Sequence, residues 1–119
     1  MSGYMDDVVQ RIAADFPELF DKDGWHDCPP GWEATVRELC VRLAAEHPSV
    51  RCAQCKSKFG SLRFYVDEAS AAVRRLIQEY ETRCGETCER CGAPGKIVDI
   101  NHWLTALCPK HESEKLPSR

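Results

Sequence analysis

The sequence predicts an α+β protein with three amphipathic helices, a β-hairpin between the second and third, and a C-terminal metal module of treble-clef or zinc-ribbon type. Three observations lead there. Apolar residues recur at helical spacing in three stretches. Apolar and polar residues alternate from Leu62 to Val66. Two ligand pairs with two-residue gaps, Cys88/Cys91 and Cys108/His111, lie sixteen residues apart.

At 119 residues the chain is expected to form one compact unit. Within it, 1–84 carries the helices and hairpin, 85–113 a metal module packed on them, and 114–119 a tail. Apolar content of 43% and charged content of 29% suit a globular protein rather than a disordered one. No apolar run approaches the ~20 residues of a membrane span. The first ten residues lack a basic start followed by an apolar stretch. No membrane partner and a cytoplasmic location are therefore expected, and eight cysteines then point to metal ligands and reduced thiols before disulfides. Net charge is −3, but residues 1–50 carry ten Asp/Glu against four Lys/Arg, whereas residues 51–119 carry nine against twelve. That balance disfavours general nucleic-acid binding and leaves room for a local basic face.

The first helix is expected over residues 5–16, with Met5, Val8, Val9, Ile12 and Phe16 on one face and Asp6 and Asp7 in the first turn, where the helix dipole favours them. Pro17 stops it, and Leu19 and Phe20 should continue as a short helical turn. From Asp21 to Trp32, two prolines and two glycines predict a defined loop. The second helix places Trp32, Val36, Leu39, Cys40 and Leu43 on one face and ends before Pro48; Cys40 reads as a buried small hydrophobe. Two strands follow, Val50 to Ala53 and Leu62 to Val66, joined through Lys56-Ser57-Lys58-Phe59-Gly60. Asp67 is the expected cap of the third helix, whose inner face is Val73, Leu76, Ile77 and Tyr80 and which closes at Cys84-Gly85.

Cys88, Cys91, Cys108 and His111 are the expected ligands of one Zn²⁺, because a two-residue gap lets both members of a pair turn toward one ion. Gly92 and Ala93-Pro94-Gly95 supply the tight backbone of such a turn. Ile97, Val98 and Ile100 form a strand, Leu104 and Leu107 lead back, and Pro109 opens a short helix carrying His111. Four protein ligands close the coordination sphere, which fits a structural metal.

Other constellations leave alternatives open. Cys52 and Cys55 are a second pair that His26 and Cys28 could complete as a second zinc site, although strand alternation would send the pair to opposite faces unless a bulge intervenes. Free buried thiols are the default. Arg51, Lys56, Lys58 and Arg63, interleaved with Phe59 and Tyr65, make a basic strip with no acidic residue from Arg51 to Tyr65. It suits single-stranded nucleic acid, an acidic protein, or plain solvation. Asp99, Asn101 and His102 make a metal-dependent nuclease the enzyme to exclude, but no further histidine or carboxylate stands at a clear spacing to complete a site.

Gly31-Trp32 before a helix, Ala53-Gln54-Cys55-Lys56-Ser57-Lys58-Phe59-Gly60-Ser61-Leu62-Arg63-Phe64-Tyr65, and Cys88-Glu89-Arg90-Cys91-Gly92 with Trp103, Leu107-Cys108 and His111 together resemble a family of small bacteriophage and prophage proteins. That family carries a KEKFG-x-LRFY hairpin and a C-terminal CExCG…W…LC…H module. The resemblance spans about residues 25–112, and Cys28 fits it, since a cysteine often precedes the Gly-Trp. The chain departs in having Cys52 and Cys55 flank the lysine-rich turn and Pro29-Pro30 follow Cys28. The resemblance implies a phage origin and a zinc module, and no activity. The expectation is a non-enzymatic, zinc-stabilised accessory protein that binds a host or phage protein complex, by analogy an inhibitor of host defence of the anti-CRISPR kind. Arg51 to Tyr65, Trp25 and Trp103 are the expected contacts. Nucleic-acid binding through the basic hairpin is the alternative.

Overall fold

The computed structural model describes residues 3–115. In chain order the elements are β1 (Tyr4–Met5), α1 (Asp7–Asp15), β2 (Phe20–His26), a 3-10 turn (Pro30–Trp32), α2 (Glu33–Glu46), β3 (Cys52–Lys58), β4 (Ser61–Val66), α3 (Ala71–Gly85), β5 (Lys96–Ile100), β6 (Trp103–Leu107) and α4 (Pro109–Lys115). The protein is mixed α+β, with a four-stranded sheet ordered β1-β2-β3-β4 and a separate β5-β6 hairpin. β1, β2 and β3 run parallel, and β4 returns antiparallel to β3.

Two sequence expectations are corrected in the first third of the chain. Met5 is not in the helix; it pairs in β1 beside His26, and α1 begins after Asp6, whose carboxylate accepts the Val9 N–H at 2.9 Å. Residues 17–19 are a turn, and Phe20 to His26 form a strand where a helical turn and a loop were expected. Only the last of those residues alternates clearly, and Asp21, Lys22, Asp23 and Gly24 have low strand propensity. What makes them a strand is a parallel slot between β1 and β3, which pairs Trp25 with both Tyr4 and Gln54.

The hairpin is longer and tighter than its sequence suggests. Its strands reach to Lys58 and Ser61, and only Phe59 (φ 55°) and Gly60 (φ 80°) remain as the turn. Two successive positive φ values match the two-residue turn whose twist suits paired strands. A register shift between Cys52 and Gln54 is the bulge that lets Cys52 and Cys55 both face inward, where each is fully buried. The third helix is capped by Ser70, which accepts the Val73 N–H, and not by Asp67. Asp67 instead accepts the N–H groups of Arg51 and Glu68.

One face of the sheet is packed. Val9 and Ile12 of α1, Val36, Leu39 and Leu43 of α2, and Val73, Ile77 and Tyr80 of α3 join Phe20, Cys55, Leu62 and Phe64 in the main core. A clasp ties α2 to α3, because Glu38 accepts both the Tyr80 hydroxyl (2.6 Å) and the Arg83 guanidinium (2.7 Å), and Arg83 lies 4.7 Å over the Tyr80 ring. The Arg83 and Tyr80 hydrogen bonds hold the Glu38 carboxyl down at about 2. The C-terminal module has its own small cluster of Cys88, Val98, Leu107 and Cys108, while Ala106 belongs to the main core.

The seam between module and core is anchored on backbone carbonyls of the module. Gly31 N–H donates to Glu89 O (2.8 Å), and the Trp32 indole donates to Thr87 O (2.9 Å) from a fully buried position. A Cβ on Gly31 would overlap the Cys88 carbonyl oxygen. The expected tail begins inside α4 at Glu114, and beyond residue 115 it lies outside the described residues.

Two outcomes follow from this packing. Gly31→Ala should cost about 2 kcal/mol or more in urea unfolding of the metal-loaded chain, because the methyl group meets backbone that cannot step aside; a change below ~0.5 kcal/mol would show that the seam is not tight. The Glu38 contribution is present above the ordinary carboxyl value of 4.5 and fades as pH falls toward 2, since its folded-state value is depressed. Wild type should thus lose its stability advantage over Glu38→Gln across that window, and an advantage that stays constant with pH would contradict the assignment.

Candidate metal centre and the open sheet face

Thr87, at the end of α3, anchors its hydroxyl on Arg83 O (2.7 Å) and points the chain into the turn Cys88 to Gly92. Gly92 N–H donates back to Cys88 O (2.9 Å), and Cys88 N–H to Ala93 O (2.8 Å), so the turn folds around the two sulfurs. Gly92 has φ 82°, a conformation that glycine adopts at no steric cost. β5 and β6 then carry the chain out and back through a turn at Asn101 (φ 53°) and His102 (φ 68°), delivering Cys108. Pro109 opens α4, and Glu112 N–H closes its first turn on Cys108 O, which sets His111 over the sulfurs.

The ligand atoms of Cys88, Cys91, Cys108 and His111 all lie within 4.8 Å of one another, a grouping that can hold a metal ion. Cys91 Sγ is 3.8 Å from Cys108 Sγ, and His111 Nδ1 is 3.3 Å from both Cys88 Sγ and Cys108 Sγ. A tetrahedron with metal–sulfur bonds of about 2.3 Å has sulfur–sulfur edges of about 3.8 Å, so the spacing fits four-coordination. Burial pushes the Cys88 thiol up, but N–H groups of Cys108, Arg90 and Cys91 and the His111 ring outweigh it and bring it down to about 6. At Cys91 the Ala93 N–H favours the thiolate, yet desolvation and the neighbouring Cys88 and Cys108 sulfurs hold it above its ordinary value. Glu114 lies 4.0 Å from His111 Nε2, on the side of the ring away from the sulfurs. The sequence reading had put that residue in the tail.

The second set does not assemble. Among the described residues the C-terminal group alone brings three or more candidate ligands together. His26 and Cys55 are neighbours across β2 and β3, but the His26 Nε2 is 2.8 Å from Asp21 O, and its Nδ1 has no partner. The Cys28 thiol donates to Pro29 O and the Cys52 thiol to Gln54 O. Burial pushes the Cys28, Cys52 and Cys55 thiols up, and Cys40 and Cys84 up to about 12, so all five pack as protonated small hydrophobes.

The candidate nuclease residues, Asp99, Asn101 and His102, gather at one end of the β5-β6 hairpin without forming a metal-holding group among the described residues. Asn101 and His102 are its exposed tip.

The basic strip is rearranged. Arg51 is drawn off the sheet, donating to Pro48 O and Val50 O and pairing with Glu18 at 3.7 Å. Lys56 and Arg63 face each other across β3 and β4, with Lys58 opposite Ser61 and the Lys58 ammonium 5.5 Å from the Phe59 ring. One row along, the register aligns Tyr4, Trp25, Gln54 and Tyr65 across all four strands. Tyr4 is 45%, Trp25 52% and Tyr65 49% exposed, which puts this row on the face away from the core. Tyr4 and Trp25 stack at 4.5 Å, and the Trp25 indole donates to Asp27 at 2.7 Å. The sequence reading contained Trp25 and Tyr65 but not their alignment, nor Tyr4 and Gln54, because no spacing along the chain announces a row across four strands.

Scans against protein-family models and searches of curated proteins and solved structures find no match to this chain. No helix among the described residues is long and apolar enough to cross a membrane. Fold and site together define a mixed α+β protein with a Cys₃His cluster able to hold a metal.

Metal removal gives the test of this centre. A chelator, or Cys108→Ser, should release one metal per chain in native mass spectrometry and unfold the C-terminal module, because ligand loss forfeits metal-linked folding energy. Cys28→Ser should leave the metal count unchanged. Two metals per chain in the wild type would restore the second site, and none would remove the first.

Proposed function

We propose that this chain is a zinc-stabilised, non-enzymatic binding module that meets its partner with the open face of the four-stranded sheet. Three thiolates and an imidazole at tetrahedral spacing are the donor set that zinc prefers, and a knuckle, hairpin and helix carrying two ligand pairs is the arrangement of a treble clef. Cys88, Cys91, Cys108 and His111 would hold the ion, which supplies structural cross-linking rather than an open coordination position. The observation that carries the recognition reading is the row Tyr4, Trp25, Gln54, Tyr65. Three exposed aromatic rings aligned on one sheet face expose apolar area that a solvated face does not need.

A second reading rests on a different surface. Trp103 is 71% exposed at the start of β6, with half-buried Ile100 opposite it on β5. These apolar groups suit a protein partner, and for a chain of the phage type that the sequence resembles, a host defence complex is the form such a partner would take.

A photoreactive phenylalanine placed at position 65, 103 or 74 in separate variants tests both readings by irradiation in expressing host cells. Arg74 is exposed on α3, on the helical side of the molecule. Adducts to a macromolecule from position 65 and not from 74 are expected. Adducts from 103 alone would favour the second reading, and equal yields at 65 and 74 would overturn the first.

A further inference from the structure

We infer that the open sheet face is a platform for single-stranded nucleic acid, with two or three bases laid on the aromatic row and the flanking phosphates met by Lys56, Lys58 and Arg63. This rests on the reading of that face as the recognition surface and names its ligand class.

Rows of side chains across the sheet alternate between core and solvent. The row Met5, His26, Cys55, Phe64 points inward, and the rows on either side of it point out. One outward row is Tyr4, Trp25, Gln54, Tyr65. The other places Lys56 opposite Arg63, with Asp27 following His26 beside them, and Lys58 and Ser61 lie one step further toward the hairpin turn. Aromatic rings and cations are therefore in adjacent parallel rows on the same side. The planar face of every base can stack on such rings, and the phosphates linking successive bases need cations next to the rings rather than among them.

Two of the three cations on this face, Lys56 and Lys58, have no carboxylate partner among the described residues. Arg11, Arg37, Arg42, Arg51 and Arg83 are each held by a carboxylate. Lys56, Lys58 and Arg63 make no ion pair within 4.0 Å among the described residues; Arg63 is half-buried with its Nε enclosed and lies beside the Glu81 carboxylate of α3, so Lys56 and Lys58 are the freer cations. The one carboxylate in these rows, Asp27, accepts the Trp25 indole N–H and so fixes the ring plane. Trp25 and Tyr65 stand on strands separated by β3, about 10 Å apart at ordinary strand spacing, which leaves room for a base against each ring. Gln54 lies between them with an amide that can both donate to and accept from a base edge.

The same inventory argues for single strands over duplexes. In a duplex the base faces are already stacked and cannot reach the rings. Three cations are too few to hold a duplex by its backbone alone, and the chain as a whole, at net −3, repels it.

The test is fluorescence anisotropy of labelled oligo-dT and oligo-rU of about 12 nucleotides, and of a duplex of equal length, titrated with the zinc-loaded full chain. Single strands should bind at least about tenfold tighter than duplex. Trp25→Ala and Tyr65→Ala should each weaken binding about tenfold, and Trp25→Phe much less, because the ring is kept. The slope of log K against log salt should be about −2, and Lys56→Gln should make it shallower by about 0.7. Arg74→Gln should change nothing, and thermal melts of Tyr65→Ala must match wild type for its loss to count. Equal affinity for duplex, or no binding of either oligomer at roughly 50 mM salt, overturns the inference. If oligomers fail while position 65 cross-links to a protein, the face remains a recognition surface and only the ligand class is wrong. If both fail, the reading beneath it falls too.

Discussion

The structure depends on two residues that fit without space to spare, Gly31 and Trp32. They sit against the turn that carries Cys88 and Cys91, and each is tied to its main chain, Gly31 to Glu89 O and the Trp32 indole to Thr87 O. A buried indole N–H left without an acceptor would cost about 1–3 kcal/mol, so Thr87 O makes burial of this large ring favourable. The ring itself then opens α2 and fills the region where the helices meet the module. Because both contacts end on main-chain carbonyls, one from a backbone N–H and one from a fully buried indole, the angle of the module is not set by flexible side chains.

A metal at the Cys₃His cluster would act on this seam from the other side. Cys88 and Cys91 flank the segment that Gly31 touches, and Cys108 and His111 lie beyond the β5-β6 hairpin, so one ion would close a loop of chain around the contact. The small cluster of Cys88, Val98, Leu107 and Cys108 is too limited to hold that loop alone. The five remaining cysteines serve a different end. Cys28, Cys40, Cys52, Cys55 and Cys84 fill the main core, so sulfur is gathered where it could hold a metal in one lobe and used as packing in the other.

Charge is divided along the same architecture. The helical side carries carboxylates that absorb Arg11, Arg37, Arg42 and Arg83, which ties helix to helix. Among the described residues, the open sheet face is left with Lys56 and Lys58 without such a partner and with aromatic rings that no element covers. An acidic protein can thus present a local basic face, since Coulomb forces between exposed charges are screened within about 8–10 Å.

The sequence by itself determined the Cys₃His cluster, the three long helices and the hairpin. Each of these is written in local spacing: two-residue gaps between ligands, apolar recurrence near 3.6, alternation at 2. The Cys₃His group assembled as its spacing implied, because a knuckle and a helix start bring their own ligands together whatever surrounds them. Phe20–His26 was illegible, since its glycine and acidic residues become a strand only when β1 and β3 supply parallel partners. The outward row from Tyr4 to Tyr65 was illegible for the same reason: it joins four segments spread over sixty residues, and only strand register places them side by side. Tertiary structure also placed Cys52 and Cys55, by way of a bulge that turned both inward into the core, where strand alternation alone would have split them. Local chemistry is carried by neighbours in sequence, whereas a surface is made by neighbours in space.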